Sequence, residues 1–183
     1  MEFRDDQVVR YSRQILLREV GGPGQRALLG AAVIVHGEGP ALAVARAYLA
    51  ASGIAVAGVE GPVPLGGLNP DARELAGRTL TVQLGTAPAP CVPGPAVWMG
   101  AEGTSTRLLA LPGGGCRGCA AQALHGLSSI PPGPRAMLAG AHAALAIQRW
   151  VLGWQGEGLA AWELTEPGET RPLALSGCPD HPR

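Results

Sequence analysis

Ala31-Ala32-Val33-Ile34-Val35-His36-Gly37-Glu38-Gly39, followed by Ala41–Ser52, Gly53 and Ile54–Val59, decides the fold. An apolar run with no polar alternation reads as a strand buried on both faces, the habit of parallel sheets. The two glycines after it permit a tight strand-to-helix turn. Ala41–Ser52 is rich in helix formers, and Gly53 supplies a C-terminal stop. With Ile54–Val59 as a second strand, the stretch is a β-α-β unit.

Working outward, Asp5–Val20 has helical spacing, with Asp5 as a cap, and Gly21-Gly22-Pro23-Gly24 breaks it. Gln25–Leu29 forms a short helical turn. Beyond the β-α-β unit, Glu60–Pro70 reads as loop and Asp71–Ala76 as a helical turn. Thr79–Leu84, Ala96–Met99 and Arg107–Leu111 read as strands, Ala120–His125 as a short helix and Arg135–Leu152 as a long one. Leu159–Leu164 and Arg171–Leu175 read as a closing hairpin. The expected fold is α/β: a Rossmann-like, mainly parallel sheet with helices on both faces and a C-terminal zinc-knuckle section.

The knuckles are Cys116-x-x-Cys119 and Cys178-x-x-His181. Three thiolates and one imidazole match a closed tetrahedral zinc site, and a metal there would staple the C-terminal section to the body. The alternative is a set of buried free thiols and a polar tail. One domain, 1–183, is expected: a helical arm (1–30), a shortened nucleotide-binding-type core (31–111) and the zinc-stapled section (112–183).

Composition bounds the partners. With 183 residues and a formal net charge of +0, no basic patch invites nucleic acid or an anionic membrane. The N-terminus has no apolar signal core, and Ala136–Leu152 is broken by His142, Gln148 and Arg149. A cytoplasmic location is expected, where cysteines read as metal ligands before disulfides.

Arg10-Tyr11-Ser12-Arg13-Gln14-Ile15-Leu16-Leu17, Gly24-Gln25, the glycine turn, Tyr48-Leu49-Ala50-Ala51-Ser52-Gly53, Leu68-Asn69-Pro70, the long helix and the knuckles occur in that order. The series resembles the ThiF/MoeB/HesA family, relatives of ubiquitin-activating enzymes. The resemblance implies a dimeric nucleotide-binding fold that uses MgATP to adenylate the C-terminal glycine of a ubiquitin-fold sulfur carrier or modifier. It also implies that Arg13 crosses the dimer to touch ATP phosphates in the partner subunit, work suited to a permanently charged, forked guanidinium.

Several positions depart from the family pattern. The family turn Gly-x-Gly-Gly-x-Gly reads here Gly37-Glu38-Gly39-Pro40-Ala41-Leu42. Gly37 and Gly39 remain to approach a ligand. Pro40 lacks an N–H, Leu42 replaces a glycine, and Glu38 adds a repelling carboxylate. Glu60 stands near the position of the family's ribose-binding acid. The chain contains no lysine, its fourteen basic residues being arginines, and no acid follows Thr79–Leu84 where the family binds magnesium. Adenylation requires that charge neutralisation.

The expectation is therefore a catalytically degenerate subunit that supports activation of a ubiquitin-like or sulfur-carrier protein. It would pair with itself or with a full-length ThiF-like enzyme and lend Arg13 to the partner's ATP site. Two alternatives stand beside it: an active ATP-dependent adenylyltransferase, and a Rossmann-type binder of a dinucleotide or other small molecule. Each site also has a plainer reading. Arg13 would be a surface ion-pairing residue, and Gly37 and Gly39 a turn without ligand. Cys91, His125 and His142 read as ordinary polar or core positions.

Overall fold

The computed structural model describes residues 2–58, 61–62, 68–86, 94–111, 124–154, 160–165 and 169–172. The strands are β1 (Ala31–His36), β2 (Ala55–Gly58), β3 (Gly61–Pro62), β4 (Leu80–Thr86), β5 (Ala96–Glu102), β6 (Ser105–Leu111), β7 (Ala160–Thr165) and β8 (Glu169–Pro172). They form one eight-stranded sheet in the order β3-β2-β1-β4-β5-β6-β7-β8. β2, β1, β4 and β5 are mutually parallel, and β6, β7 and β8 continue from β5 as an antiparallel meander. β3 adds an antiparallel edge to β2. The sheet is thus mixed: Rossmann-like on one side, a hairpin series on the other. The hairpin expected near the C-terminus is β7–β8.

The helices are α1 (Asp5–Ile15), α2 (Gly21–Leu29), α3 (Pro40–Ala51) and α4 (Pro134–Val151), with a 3-10 turn at Asp71–Arg73. Strand alternation sends Val33, Val35, Val82, Leu84, Val97, Met99, Leu108 and Ala110 to one face. There they join Ala45 and Leu49 of α3 and Ala139, Ala143 and Ile147 of α4 in a single core. Helices were expected on both faces; among the described residues both long helices lie on this one. Their small side chains explain the close layer. A Cβ on Gly140 would come within 2.3 Å of the Ala41 carbonyl oxygen, so α4 approaches α3 at a point where only glycine fits.

Two local expectations need correction. Gly21-Gly22-Pro23-Gly24 opens α2 instead of interrupting the chain, because proline is tolerated in a first helical turn. Gly24 is also useful there: a Cβ on it would lie 2.8 Å from Leu152 at the end of α4. At α1, Arg4, not Asp5, occupies the N-cap, and its backbone N–H donates to Gln7 Oε1 at 3.2 Å.

Trp154 lies just beyond α4, whereas Trp150 is in its last turn. Gly153, at φ +70°, ends the run, and the Trp154 N–H closes onto the Arg149 carbonyl at 2.8 Å. No helix among the described residues is long and apolar enough to cross a membrane.

Candidate functional site

The glycine turn lies at the C-terminal end of β1, where open α/β sheets place their ligands. Gly37 and Gly39 have φ of +84° and +135°, backbone that disfavours a side chain. A Cβ on Gly39 would meet nothing within 4 Å, so the turn faces open space. The structure places Gly37 and Gly39 at the mouth between β1 and α3.

The surroundings of the turn are unlike a phosphate cradle. Pro40 is the first residue of α3, so one outward N–H is absent there. Leu42 is fully buried, and its Cδ1 lies 4.0 Å from where a Gly37 Cβ would stand. It fills the space beneath the turn. Arg46 folds back along α3 and donates from Nη2 to the Gly37 carbonyl at 2.9 Å. Burial lowers the pKa of this guanidinium, and the charge of Glu38 opposes that shift.

Beside the turn, on the opposite sheet face, the His36 Nε2 and Gln83 Oε1 are 2.5 Å apart, with the imidazole as donor in that tautomer. The His36 and Trp98 ring centroids are 5.5 Å apart. Trp98 lies against Gly85, where any Cβ would fall 1.9 Å from the indole. This group was not legible beforehand, because the contacts join three separate strands.

The second constellation is a buried polar knot. Asp71, 6% exposed, accepts hydrogen bonds from Arg4 Nη2 at 2.7 Å, Gln7 Nε2 at 3.1 Å, Arg10 Nη1 at 2.5 Å and the Tyr11 hydroxyl at 2.9 Å. Asn69 donates to the Tyr11 oxygen at 2.8 Å and to the Ala50 carbonyl at 2.7 Å, and accepts from the Asp71 N–H at 3.0 Å. Arg78 closes the far side on the carbonyls of Leu29, Gly53 and Asp71.

Burial works to raise the pKa of Asp71. The donors Arg4, Gln7 and Tyr11 and the charge of Arg10 outweigh it and hold the carboxyl below its ordinary value. Tyr11 is pushed up, first by burial and then by Asp71. The landmarks Arg10-Tyr11, Tyr48–Gly53 and Leu68-Asn69-Pro70 therefore meet in one hydrogen-bonded network around Asp71. Asp71 itself was read only as part of a helical turn. Its place directly after Asn69-Pro70 was the available signal.

The knot also explains α1. Its inward face is Gln7 and Tyr11, while Val9 and Leu16 stand 77% and 83% exposed. Hydrogen-bonding demand, not apolar burial, sets which face of the helix turns inward. Arg13 lies between Val9 and Leu16 on the exposed side. Among the described residues its guanidinium has no hydrogen-bonding or ionic partner.

Glu60, Cys91, Cys116, Cys119, Cys178 and His181 lie outside the described residues. Among the described residues no group of His, Cys, Asp and Glu is placed to hold a metal.

No family model matches the chain. The adenylyltransferase and sulfurtransferase MOCS3 of Anopheles gambiae is 45% identical over 58 residues, 32% of this chain and 13% of MOCS3. Among solved structures, MccB of E. coli with succinimide superposes at a TM-score of 0.65 with 15% identity, over 94% of this chain and 73% of MccB. E. coli MccB with ATP gives 0.65 at 14% identity, over 94% and 73%. PaaA gives 0.61 at 14%, over 94% of this chain and 75% of PaaA. The shared fold and the local identity to MOCS3 agree with the resemblance of the sequence landmarks to the ThiF/MoeB/HesA family.

Proposed function

We propose that this chain is a degenerate ThiF-like subunit that docks on a competent activating enzyme and presents Arg13 to that enzyme's nucleotide. The observation that carries the reading is a contrast in one molecule. Arg4 and Arg10 are committed to Asp71, whereas Arg13, on the same helix, is exposed and unpaired among the described residues. A helix anchored so firmly holds its outward arginine in place, and Val9 and Leu16 flank it with apolar surface suited to a protein contact.

The turn supports the degenerate half of the reading. A nucleoside triphosphate needs backbone donors and a cation at its phosphates. Here Pro40 withholds a donor, Leu42 fills the floor and Glu38 adds negative charge; the chain has no lysine and no acid between Glu74 and Glu102 to hold magnesium. These residues do not fit MgATP.

The partner that receives Arg13 is expected to be a full-length homologue, whether or not the chain also pairs with itself, and the protein activated a ubiquitin-fold modifier or sulfur carrier. MccB, the Microcin C7 biosynthetic enzyme of the same fold, has been solved in complex with N-formylated MccA. Cys116, Cys119, Cys178 and His181 would hold a structural zinc, for which three thiolates and an imidazole are a fitting donor set. Elemental analysis of the purified protein should find one zinc per chain; zinc-free folded protein would remove the staple from the proposal.

Calorimetry and pyrophosphate exchange test the main claim. The chain alone should neither bind nor turn over ATP. Mixed with a ThiF-like enzyme and its carrier protein, it should raise exchange, and Arg13→Ala should abolish the rise. Unaided exchange by this chain would instead make it an active adenylyltransferase. Thermal stabilisation by NAD or FAD but not ATP would favour a Rossmann-type small-molecule binder.

A further inference from the structure

A second concavity opens on the helical side of the antiparallel strands, away from the glycine turn. It lies between α4 and strands β6 and β7 and has a volume of about 210 Å³. Its floor is Leu108, Ala146 and Leu164, each no more than 5% exposed. Trp162, the cross-strand partner of Leu108, forms one wall and is only partly buried. Leu145, 48% exposed, stands at the lip.

Two nitrogen-bearing side chains line the same pocket one heptad apart on α4. His142 donates from Nδ1 to the Leu138 carbonyl at 2.9 Å, which fixes the ring along the helix. Arg149 is exposed, and no described residue forms an ion pair or side-chain hydrogen bond with it. None of the described lining residues is acidic. An apolar bowl with an aromatic wall and a cation at its edge attracts a molecule with an apolar body and an anionic end.

Size narrows the class further. A dry cavity of roughly 150 Å³ admits benzene, whereas drug- and cofactor-sized ligands occupy roughly 300 Å³ or more. A nucleotide therefore exceeds this pocket, and a single ring or branched chain fits. We propose that the pocket between α4 and β6–β7 binds a small apolar carboxylate, its ring or branched chain against Trp162 and its carboxylate forked on Arg149. The site shares no described lining residue with the glycine turn and takes a different ligand chemistry.

Titration of the full-length protein with 3-phenylpropionate, followed by calorimetry and by fluorescence against a Trp162→Phe control, tests the assignment. Saturable binding is expected with a dissociation constant near about 1 mM, the range open to a ligand of this size. The uncharged isostere 3-phenylpropionamide should bind at least about tenfold more weakly, since it forfeits the charge-assisted bonds. Arg149→Gln, an exposed change that leaves the core intact, should weaken the acid about tenfold and leave the amide unchanged. N-acetylphenylalanine separates the two sources of the ligand: tighter binding than 3-phenylpropionate indicates a polypeptide C-terminus, weaker binding a free acid. Absence of saturable binding by either acid up to about 10 mM, equal affinity for acid and amide, or indifference to Arg149→Gln overturns the proposal.

Discussion

The Asp71 knot and the glycine turn sit at opposite ends of the same β-α-β unit and follow opposite rules. In the knot, donors from α1 converge on one buried carboxylate, and the backbone carbonyls of Leu29, Ala50, Gly53 and Asp71 find side-chain partners. At the turn the two glycines keep their conformation, but the groups around them serve packing: Leu42 fills, Pro40 withholds, Arg46 caps a carbonyl. Polar networks are costly when half satisfied, so a fully paired one marks a part of the molecule that the fold cannot do without. A turn that has filled its own cavity marks a part that the fold retains for shape alone.

The contrast breaks first at Asp71. Asp71→Ala should destabilise the protein by about 3 kcal/mol in urea unfolding, because it strands the Gln7 amide N–H in a buried site, leaves the Tyr11 hydroxyl with Asn69 alone and leaves two arginines facing each other. Asp71→Asn should cost nearly as much, since its amide nitrogen would oppose donors. A loss below about 0.5 kcal/mol would mean that the knot is ornamental.

Next comes Gly53, which the knot encloses. It has φ +91°, and a Cβ on it would lie 2.8 Å from the Tyr11 oxygen and 2.9 Å from Leu29. Gly53→Ala should lower stability by about 1–3 kcal/mol through backbone strain and the displaced ring. The matching change at the turn, Gly39→Ala, meets no atom within 4 Å and carries only the strain, so it should cost less. Equal losses at the two glycines would erase the distinction between a packed region and an open one.

Acid should separate the regions as well. The folded-state pKa of Asp71 is depressed, so its contribution is complete above the unfolded carboxylate value near 3.8 and is lost as pH falls through the lower folded value. Thermal stability should therefore decline below about pH 4, and Asp71→Asn should flatten that decline. An unchanged acid slope in the variant would place the sensitive carboxylate elsewhere.

Much of this architecture was legible because its signals are local. The apolar run at Ala31–Val35, the glycines after it and the Ala-rich α3 encode β1, the turn and the crossover helix with errors of a residue or so. What escaped was set by distance and by competition. Residues 36, 83 and 98 meet only because three strands align, which no spacing along the chain announces. The spacing over Asp5–Val20 announces a helix but not its inward face, which the hydrogen bonds of Gln7 and Tyr11 set while Val9 and Leu16 stay exposed. The break expected at Gly21–Gly24 failed because close packing against Leu152 and tolerance of proline in a first turn favour helix there.

The smallest effect on the isolated protein is expected at Arg13, and that is why it is informative. An exposed arginine without a partner among the described residues contributes little to folding, so Arg13→Ala should shift stability by no more than about 0.5 kcal/mol. Arg10→Ala, one helical turn away and bound to Asp71, should lose several times that. Two arginines of one motif would then part company: one holds the helix to the body, the other serves something outside it. If both variants unfolded alike, α1 would be a structural brace along its whole length and Arg13 would have no claim to a role in a partner. If only Arg10→Ala weakened the fold while Arg13→Ala silenced the mixed exchange assay, the same helix would be both anchor and reach.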